Sequence, residues 1–216
     1  MHSVERFIKF FTQPLVALVY FTLIIAAYFL MDKPLVLSIH AWDLANHFPI
    51  LVWLTQLGRS LPWLIMVPLI ALFFRYVRRV KQIELRIWFL WATLVFCNGV
   101  SFVLKNLLGR ARPSLLLDQN LFGFYGPHTE GLYHSFPSGH TTQITAMSLS
   151  LALLYPRFRW WIVLLASMVF ATRVLLTYHY LSDILATFYL VILEFKILLY
   201  IVAQQCPLYW KRLNVR

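Results

Sequence analysis

The chain has 216 residues, of which 61% are hydrophobic and only 12% charged, against about 45–50% and about 25% in ordinary soluble domains. That leaves too little polar surface to cover a water-facing globule and excludes a soluble single-core protein. Nineteen Lys and Arg against eight Asp and Glu give a net charge of +11, a nucleic-acid signal in a soluble chain but an expected excess of the cytoplasmic loops in a membrane chain.

The basic residues fall in clusters, in chain order. Arg6 and Lys9 precede an uncharged run of 22 residues, Phe10 to Met31, enough to cross a hydrocarbon core of about 30 Å. The run exceeds the about 7–15 residue apolar core of a signal peptide and no small-residue cleavage pattern follows, so it reads as a first spanning helix. A mixed stretch from Asp32 to Ser60, holding His40, Trp42, Asp43, Asn46, His47 and Pro49, reads as an interfacial or partly re-entrant loop. The second span runs from about Leu61 to Tyr76 with Pro68 inside, and Arg75, Arg78, Arg79, Lys81 and Arg86 make the loop after it basic. The third is Ile87 to about Leu108, uncharged until Lys105. A long segment rich in Gly, Pro, Tyr and His, Gly109 to Ser138, leads to a fourth span, Gly139 to Tyr155. The fifth, Trp160 to about Leu176, and the sixth, about Tyr180 to Ala203, follow closely.

Six spans put both termini on one side. Twelve basic residues then share that side with the termini, including Arg157, Arg159, Lys211, Arg212 and Arg216, against six on the other, with Lys196 inside the sixth span. By the positive-inside rule the termini are cytoplasmic, and nucleic acid is not needed to explain the charge. The expected fold is an all-α polytopic bundle of six transmembrane helices, one domain over residues 1–216.

The cations on the opposite side carry the chemistry. Lys105 is 19 residues from Arg86, His140 is 17 from Arg157 and Arg173 is 14 from Arg159, which at about 1.5 Å per residue brings all three near one outer level. Ionisable groups near membrane depth are costly to isolate and so are candidates for function, although single ones snorkel to the headgroups. Lys105, Arg110, Arg112 and Arg173 all lie at outer ends of spans, and such converging cations without a Cys or carboxylate cluster suit an anion, phosphate foremost. In Phe136-Pro137-Ser138-Gly139-His140, Pro and Gly at a helix start leave free amides, with Ser138 placed to cap them or to donate to the same anion. His179 and Asp183, four apart, share a face at the start of the sixth helix, where the carboxylate would hold one imidazole nitrogen protonated and free the other as a nucleophile or base.

These elements resemble a known family. Lys105-Asn106-Leu107-Leu108-Gly109-Arg110-Ala111-Arg112-Pro113 is similar to the K-x6-R-P signature of the type 2 phosphatidic acid phosphatase (PAP2) superfamily, whose soluble relatives include acid phosphatases and vanadium haloperoxidases. Pro137-Ser138-Gly139-His140 resembles its P-S-G-H element, and Arg173, His179 and Asp183 its S-R-x5-H-x3-D element, with Thr172 where the pattern has Ser. The resemblance runs from Lys105 to Asp183 and points to the integral-membrane branch, with the active site on the outer face. It implies that His179 attacks phosphorus to give a phosphohistidine, supported by Asp183. His140 would protonate the leaving group and then activate water. Lys105, Arg112 and Arg173, with Ser138 and the Gly139 amide, would stabilise the transferring group's charge. The scheme calls for no metal or other cofactor.

The implied substrate is a phosphorylated membrane lipid at the outer leaflet: phosphatidic acid, phosphatidylglycerol phosphate, undecaprenyl diphosphate or the 1-phosphate of lipid A. A lipid phosphotransferase with the same intermediate and a non-catalytic lipid transporter or binding protein are the alternatives, and the histidines with Asp183 argue against the latter. A vanadate-dependent peroxidase is disfavoured by the spans. Small size and the absence of an N-x-S/T sequon fit a bacterial inner membrane. Arg110 stands open between a headgroup contact and a solvated charge. His128 and His134 read as polar loop residues, His40 and His47 as interfacial, and Glu194 and Lys196, both inside the sixth span, as groups that pair with other helices or, for Lys196, snorkel. Cys97 and Cys206 lie at different depths, which opposes a disulfide.

Overall fold

A computed structural model describes residues 2–214; Arg216 of the C-terminal basic trio lies outside the described residues. Its helices are α1 His2–Phe11, α2 Pro14–Ala26, α3 Asp32–His40, α4 Leu44–His47, α5 Pro49–Thr55, α6 Ser60–Tyr76, α7 Lys81–Leu108, α8 Pro113–Gln119, α9 Gly139–Leu154, α10 Arg159–Leu175, α11 Leu181–Gln205 and α12 Pro207–Asn214. There is no strand among the described residues, only two isolated bridges, both at Arg110.

Four helical stretches are long and apolar enough to cross a membrane: Pro14–His40, Lys81–Leu108, Pro156–Leu175 and Leu181–Gln205. A fifth is added if Pro49–Gly58 and Ser60–Tyr76, bent by 52°, are one span. Helix α9 has 16 residues, short of the about 20 that a perpendicular span needs.

The first span departs from its expected limits at both ends. Pro14 cannot continue a helix from its N-terminal side and pushes Gln13 to extended backbone, φ −67° and ψ 136°, so α2 begins with Pro at its first turn. The preceding residues form a separate helix, α1, whose Val4 and Ile8 are buried in the main core. At the other end the helix continues past Met31 through a π-helical turn, Ala27–Met31, into α3. Asp32 does not end it, because its carboxylate is wholly buried against Arg110 rather than facing water. The stretch expected as an interfacial loop is thus largely helical, in α3, α4, α5 and a 3-10 turn, Gln56–Gly58.

Helix α9 is the central post, contacted by α7, α10, α11, α6 and α1. Its inward positions are small or polar: Thr141, Thr142, Gln143, Thr145, Ala146 and Ser150 are all buried. Between membrane helices apolar burial distinguishes little, so close packing and interhelical hydrogen bonds carry association. Ser60 donates to Asn98 Oδ1 at 2.6 Å and Asn98 Nδ2 to Gln143 Oε1 at 2.8 Å, tying α6, α7 and α9. The large apolar side chains point the other way, with Leu15, Leu18 and Phe29 on the first span and Trp160 and Trp161 on α10 exposed.

The segment between α7 and α9 is sewn to itself. Ala111 N donates to Gly123 O, Arg112 N to Leu132 O, Ser135 N to Arg110 O and Tyr125 N to Gly109 O. Gly109 ends α7 at φ +53°, and a Cβ there would collide with the carbonyl oxygen of Gly126. Gly109→Ala is therefore expected to destabilise the protein by at least ~1 kcal/mol, read as a lowered thermal midpoint in detergent.

Candidate active site

The expected site residues come from one end of four helices. Lys105 is on the last turn of α7, Ser138 and Gly139 open α9, Arg173 is in the last turn of α10, and Asp183 is in the first turn of α11. Arg112 is the residue before α8. The αL turn at Gly109 brings Arg112 back towards the helix end that carries Lys105, which accounts for the six-residue spacing.

Gly139 sits under Lys105: a Cβ there would lie 3.1 Å from Lys105 Nζ. Ser138 caps α9, its Oγ accepting from Thr141 N at 3.4 Å and from Thr141 Oγ1 at 3.0 Å, while its own amide donates to Thr187 Oγ1 at 2.9 Å. Both roles open to Ser138 from sequence survive this geometry, since an accepting hydroxyl keeps its proton to donate. His140, on the first turn of α9, packs against Gly58, where a Cβ would come within 2.7 Å of the imidazole Cδ2.

His179 is not on the helix with Asp183. It lies in the Leu176–Tyr180 connection, and α11 begins only at Leu181. What fixes it is the carbonyl of Arg173, which accepts from Tyr178 N at 3.1 Å and His179 N at 3.2 Å; this turn is the physical content of the R-x5-H spacing. Asp183 folds back over it, with Oδ2 3.6 Å from His179 Nδ1, beyond a hydrogen bond but within ion-pair range. Nδ1 is buried without a hydrogen-bond partner. Burial pushes the His179 imidazole from its ordinary 6.5 down to about 3, with Asp183 opposing the shift and Arg173 adding to it. The ring is neutral at physiological pH, the form a nucleophile requires.

The three cations share one field. Lys105 feels both Arg112 and Arg173, and His140 feels Arg173, His179, Lys105 and Arg59. Burial lowers Arg112 from its ordinary value, with only Asp183 opposing. Among the described residues neither Lys105 nor Arg112 makes a side-chain hydrogen bond or ion pair, and Arg112 Nε and Arg173 Nε are buried without partners. Arg173 donates to Thr55 Oγ1 at 2.7 Å and lies over the Tyr178 ring at 4.6 Å.

Arg110 is neither a headgroup contact nor a solvated charge. It is 2% exposed, and its guanidinium donates to Asp183 Oδ1 at 2.5 Å, Ser182 Oγ at 2.9 Å and Asp32 Oδ2 at 2.7 Å. Burial disfavours its charge, but Asp183 and Asp32 outweigh that and hold it above its ordinary value. Ser135 Oγ at 2.6 Å and Tyr180 N at 3.0 Å donate to Asp183 Oδ2. Asp32, Thr55, Gly58, Ser135, Ser182 and Thr187 thus support the site from positions the motifs do not mark. Asp32 alone carried a signal, a carboxylate at the edge of an apolar run.

Other candidates fall elsewhere. His134 Nε2 donates to His128 O at 2.9 Å and the His128 ring stacks on Tyr133 at 4.2 Å, so both histidines shape their own loop. Thr172, in place of the family's Ser, donates to Val169 O at 2.7 Å inside its helix. Glu194 is buried, and Lys196 is exposed and donates to Thr12 Oγ1 at 3.2 Å, a contact beyond its own helix. Cys97 is buried and Cys206 exposed, both free. An apolar cavity of about 710 Å³, bounded by Phe7, Tyr20, Leu149, Ala166 and Phe188, is lined by none of the site residues.

The chain matches the PAP2 superfamily over residues 86–206, more than half its length, and belongs to that family. Over 98 residues it is 38% identical to the lipid A 1-phosphatases of Rhizobium etli and of Rhizobium johnstonii. That stretch is 45% of this chain and 42% and 40% of those proteins, so the match spans under half the length of these curated relatives. The crystal structure of the first transmembrane PAP2 type phosphatidylglycerolphosphate phosphatase from Bacillus subtilis covers 92% of this chain and 93% of that one, at a TM-score of 0.42 and 17% identity.

The Thr55 contact yields a direct test of the anion pocket. Thr55→Val removes the acceptor that holds Arg173, and a hydrogen bond to a charged group is worth about 1.5–3 kcal/mol. Affinity for inorganic phosphate, titrated calorimetrically in detergent, is expected to fall by about tenfold or more, with the helical circular dichroism unchanged.

Proposed function

We propose that the protein is a membrane lipid phosphatase that hydrolyses a phosphomonoester or diphosphate on a lipid headgroup at the outer leaflet. The carrying observation is that three cations without counter-ions, the buried Arg173 and the half-buried Lys105 and Arg112, lie at the opening of α9 with a neutral imidazole beside them that faces a fully engaged carboxylate. The 1-phosphate of lipid A is the substrate we place first, supported by the likeness to the two Rhizobium lipid A 1-phosphatases.

In this reading residues 1–216 form one membrane-embedded domain of six spans: Pro14–His40, α6, α7, α9, α10 and α11. Helix α9 spans despite its length because it is enclosed by other helices. Its polar residues need not meet lipid. In the same reading both termini are cytoplasmic and the site faces outward from a bacterial inner membrane, an orientation that the basic loops support.

His179 Nε2 attacks phosphorus and the bond from phosphorus to the leaving oxygen breaks, while His140 gives that oxygen its proton. Asp183 stabilises the positive charge that develops on the imidazole. Water then attacks the phosphohistidine, His140 takes its proton, the phosphorus–nitrogen bond breaks and phosphate leaves. Lys105, Arg112, Arg173, the Ser138 hydroxyl and the Gly139 amide hold the equatorial oxygens through both steps. Every step is assigned to side chains or backbone of this chain, with no metal.

His179→Ala is expected to abolish phosphate release from purified lipids in detergent while the protein stays folded; undiminished turnover overturns the nucleophile assignment. A panel of lipid A, phosphatidic acid, phosphatidylglycerol phosphate and undecaprenyl diphosphate tests the substrate, with fastest release from lipid A expected. Loss of lipid phosphate matched by its gain on a second lipid, without free phosphate, would mark a phosphotransferase instead. A cysteine placed in the Arg75–Arg86 loop is expected to resist an impermeant thiol reagent applied to intact cells, and efficient labelling reverses the topology.

A further inference from the structure

We propose that Asp32, on the first span and outside the stretch that matches the family, is a positioning residue for phosphoryl transfer: through Arg110 it holds the Asp183 carboxylate where it serves His179. The inference rests on the functional reading above and adds a residue to it.

The geometry is one of competition for a single cation. Arg110 gives one terminal nitrogen to Asp183 Oδ1 and the other to Asp32 Oδ2. A guanidinium next to one carboxylate ordinarily forms a two-pronged pair with it. Here the second prong is withheld from Asp183 because Asp32 holds it. Ser182 locks the division: its Oγ accepts from Arg110 and donates to Asp32 Oδ2 at 2.5 Å, and its amide donates to Asp32 Oδ1 at 3.0 Å. Asp32 therefore also ties down the opening turn of α11, one residue before Asp183.

Arg110 has little freedom to leave. The rings of Tyr180, Tyr28 and Phe124 lie 4.7, 4.9 and 5.3 Å from its guanidinium carbon. With the cation shared, Asp183 keeps Oδ2 directed to Ser135, Tyr180 N and His179. Removing the negative charge of Asp32 releases the second prong to Asp183, which draws the carboxylate towards Arg110 and leaves the imidazole less well oriented and its developing charge less well balanced. The phosphate-binding cations keep their own side-chain positions in this change, because among the described residues neither Asp32 nor Arg110 is hydrogen-bonded to Lys105, Arg112 or Arg173.

The test is Asp32→Asn in the full-length protein, assayed in detergent on whichever purified lipid the wild type hydrolyses, beside His179→Ala and with inorganic phosphate titrated separately. The expected result is a fall in kcat of about ten- to hundredfold, the range typical when a residue that orients a reactive ligand is removed, with KM and phosphate affinity kept within about twofold. Ser182→Ala, which deletes only the bridging hydroxyl, is a milder variant expected to show the same split with a smaller loss. A folded Asp32→Asn protein with wild-type kcat overturns the proposal, as does a loss of phosphate affinity equal to the loss of kcat, which marks general collapse of the pocket. If His179→Ala retains turnover, the functional reading fails; if His179→Ala is inactive and Asp32→Asn fully active, only the role of Asp32 fails.

Discussion

The buried cluster of Arg110 with Asp32, Ser182 and Asp183 is the constraint on which the rest of the outer end depends. A guanidinium that is 2% exposed cannot be left without anions, because a lone buried charge is costly and removing one partner of such a cluster costs far more than a surface pair is worth. Satisfying it requires the first span to run far enough to present Asp32, α11 to open at Leu181, and the segment after α7 to be extended through Arg110. The loop hydrogen bonds from Ala111, Arg112, Tyr125 and Ser135 follow from that extended stretch. Fold and site are therefore one problem: the same carboxylate that completes the charge cluster faces His179.

That coupling explains how a site can be rigid while standing on loops. Lys105, Gly139, Arg173 and Asp183 sit on helix ends whose axes are fixed by packing around α9, and only Arg112 and His179 lie on connections. Each connection is pinned by backbone hydrogen bonds, Arg112 N to Leu132 O and His179 N to Arg173 O. Orientation of that kind is what a phosphoryl-transfer site needs, since catalysis there comes mainly from positioning and electrostatics.

Much of this was legible in the amino-acid order, because the relevant signals are local. The R-x5-H spacing reflects one carbonyl that accepts two amides, and K-x6-R reflects one αL turn at Gly109. Five of the expected spans recur as helices with similar limits, α6, α7, α9, α10 and α11, since long apolar runs between polar or basic loops have few other solutions. What escaped was non-local. Asp32 is 78 residues from Arg110 and Thr55 is 118 from Arg173, and neither has a spacing that announces its partner. A carboxylate after 22 uncharged residues reads as the end of a span when water is assumed beside it, and that assumption fails once an arginine from another segment takes the place of water. The separation of His179 and Asp183 suggests a shared helix face, whereas the carboxylate reaches back over the helix start, a geometry that four-residue spacing equally permits.

The charges around the pocket point to the state it is built to hold. Arg110 with Asp32 and Asp183 carries one negative charge in sum, and Lys105, Arg112 and Arg173 carry three positive, leaving two positive charges while the buried His179 ring is neutral, and a third when His140 holds the proton that it gives to the leaving group. In the proposed reading a phosphomonoester, which near pH 7 carries about −1.5 to −2, offsets most of this excess, and its transfer to His179 keeps that charge within the same three cations. Without Asp32, Asp183 would face Arg110 alone, so the second carboxylate sets the share of Arg110 that falls on Asp183.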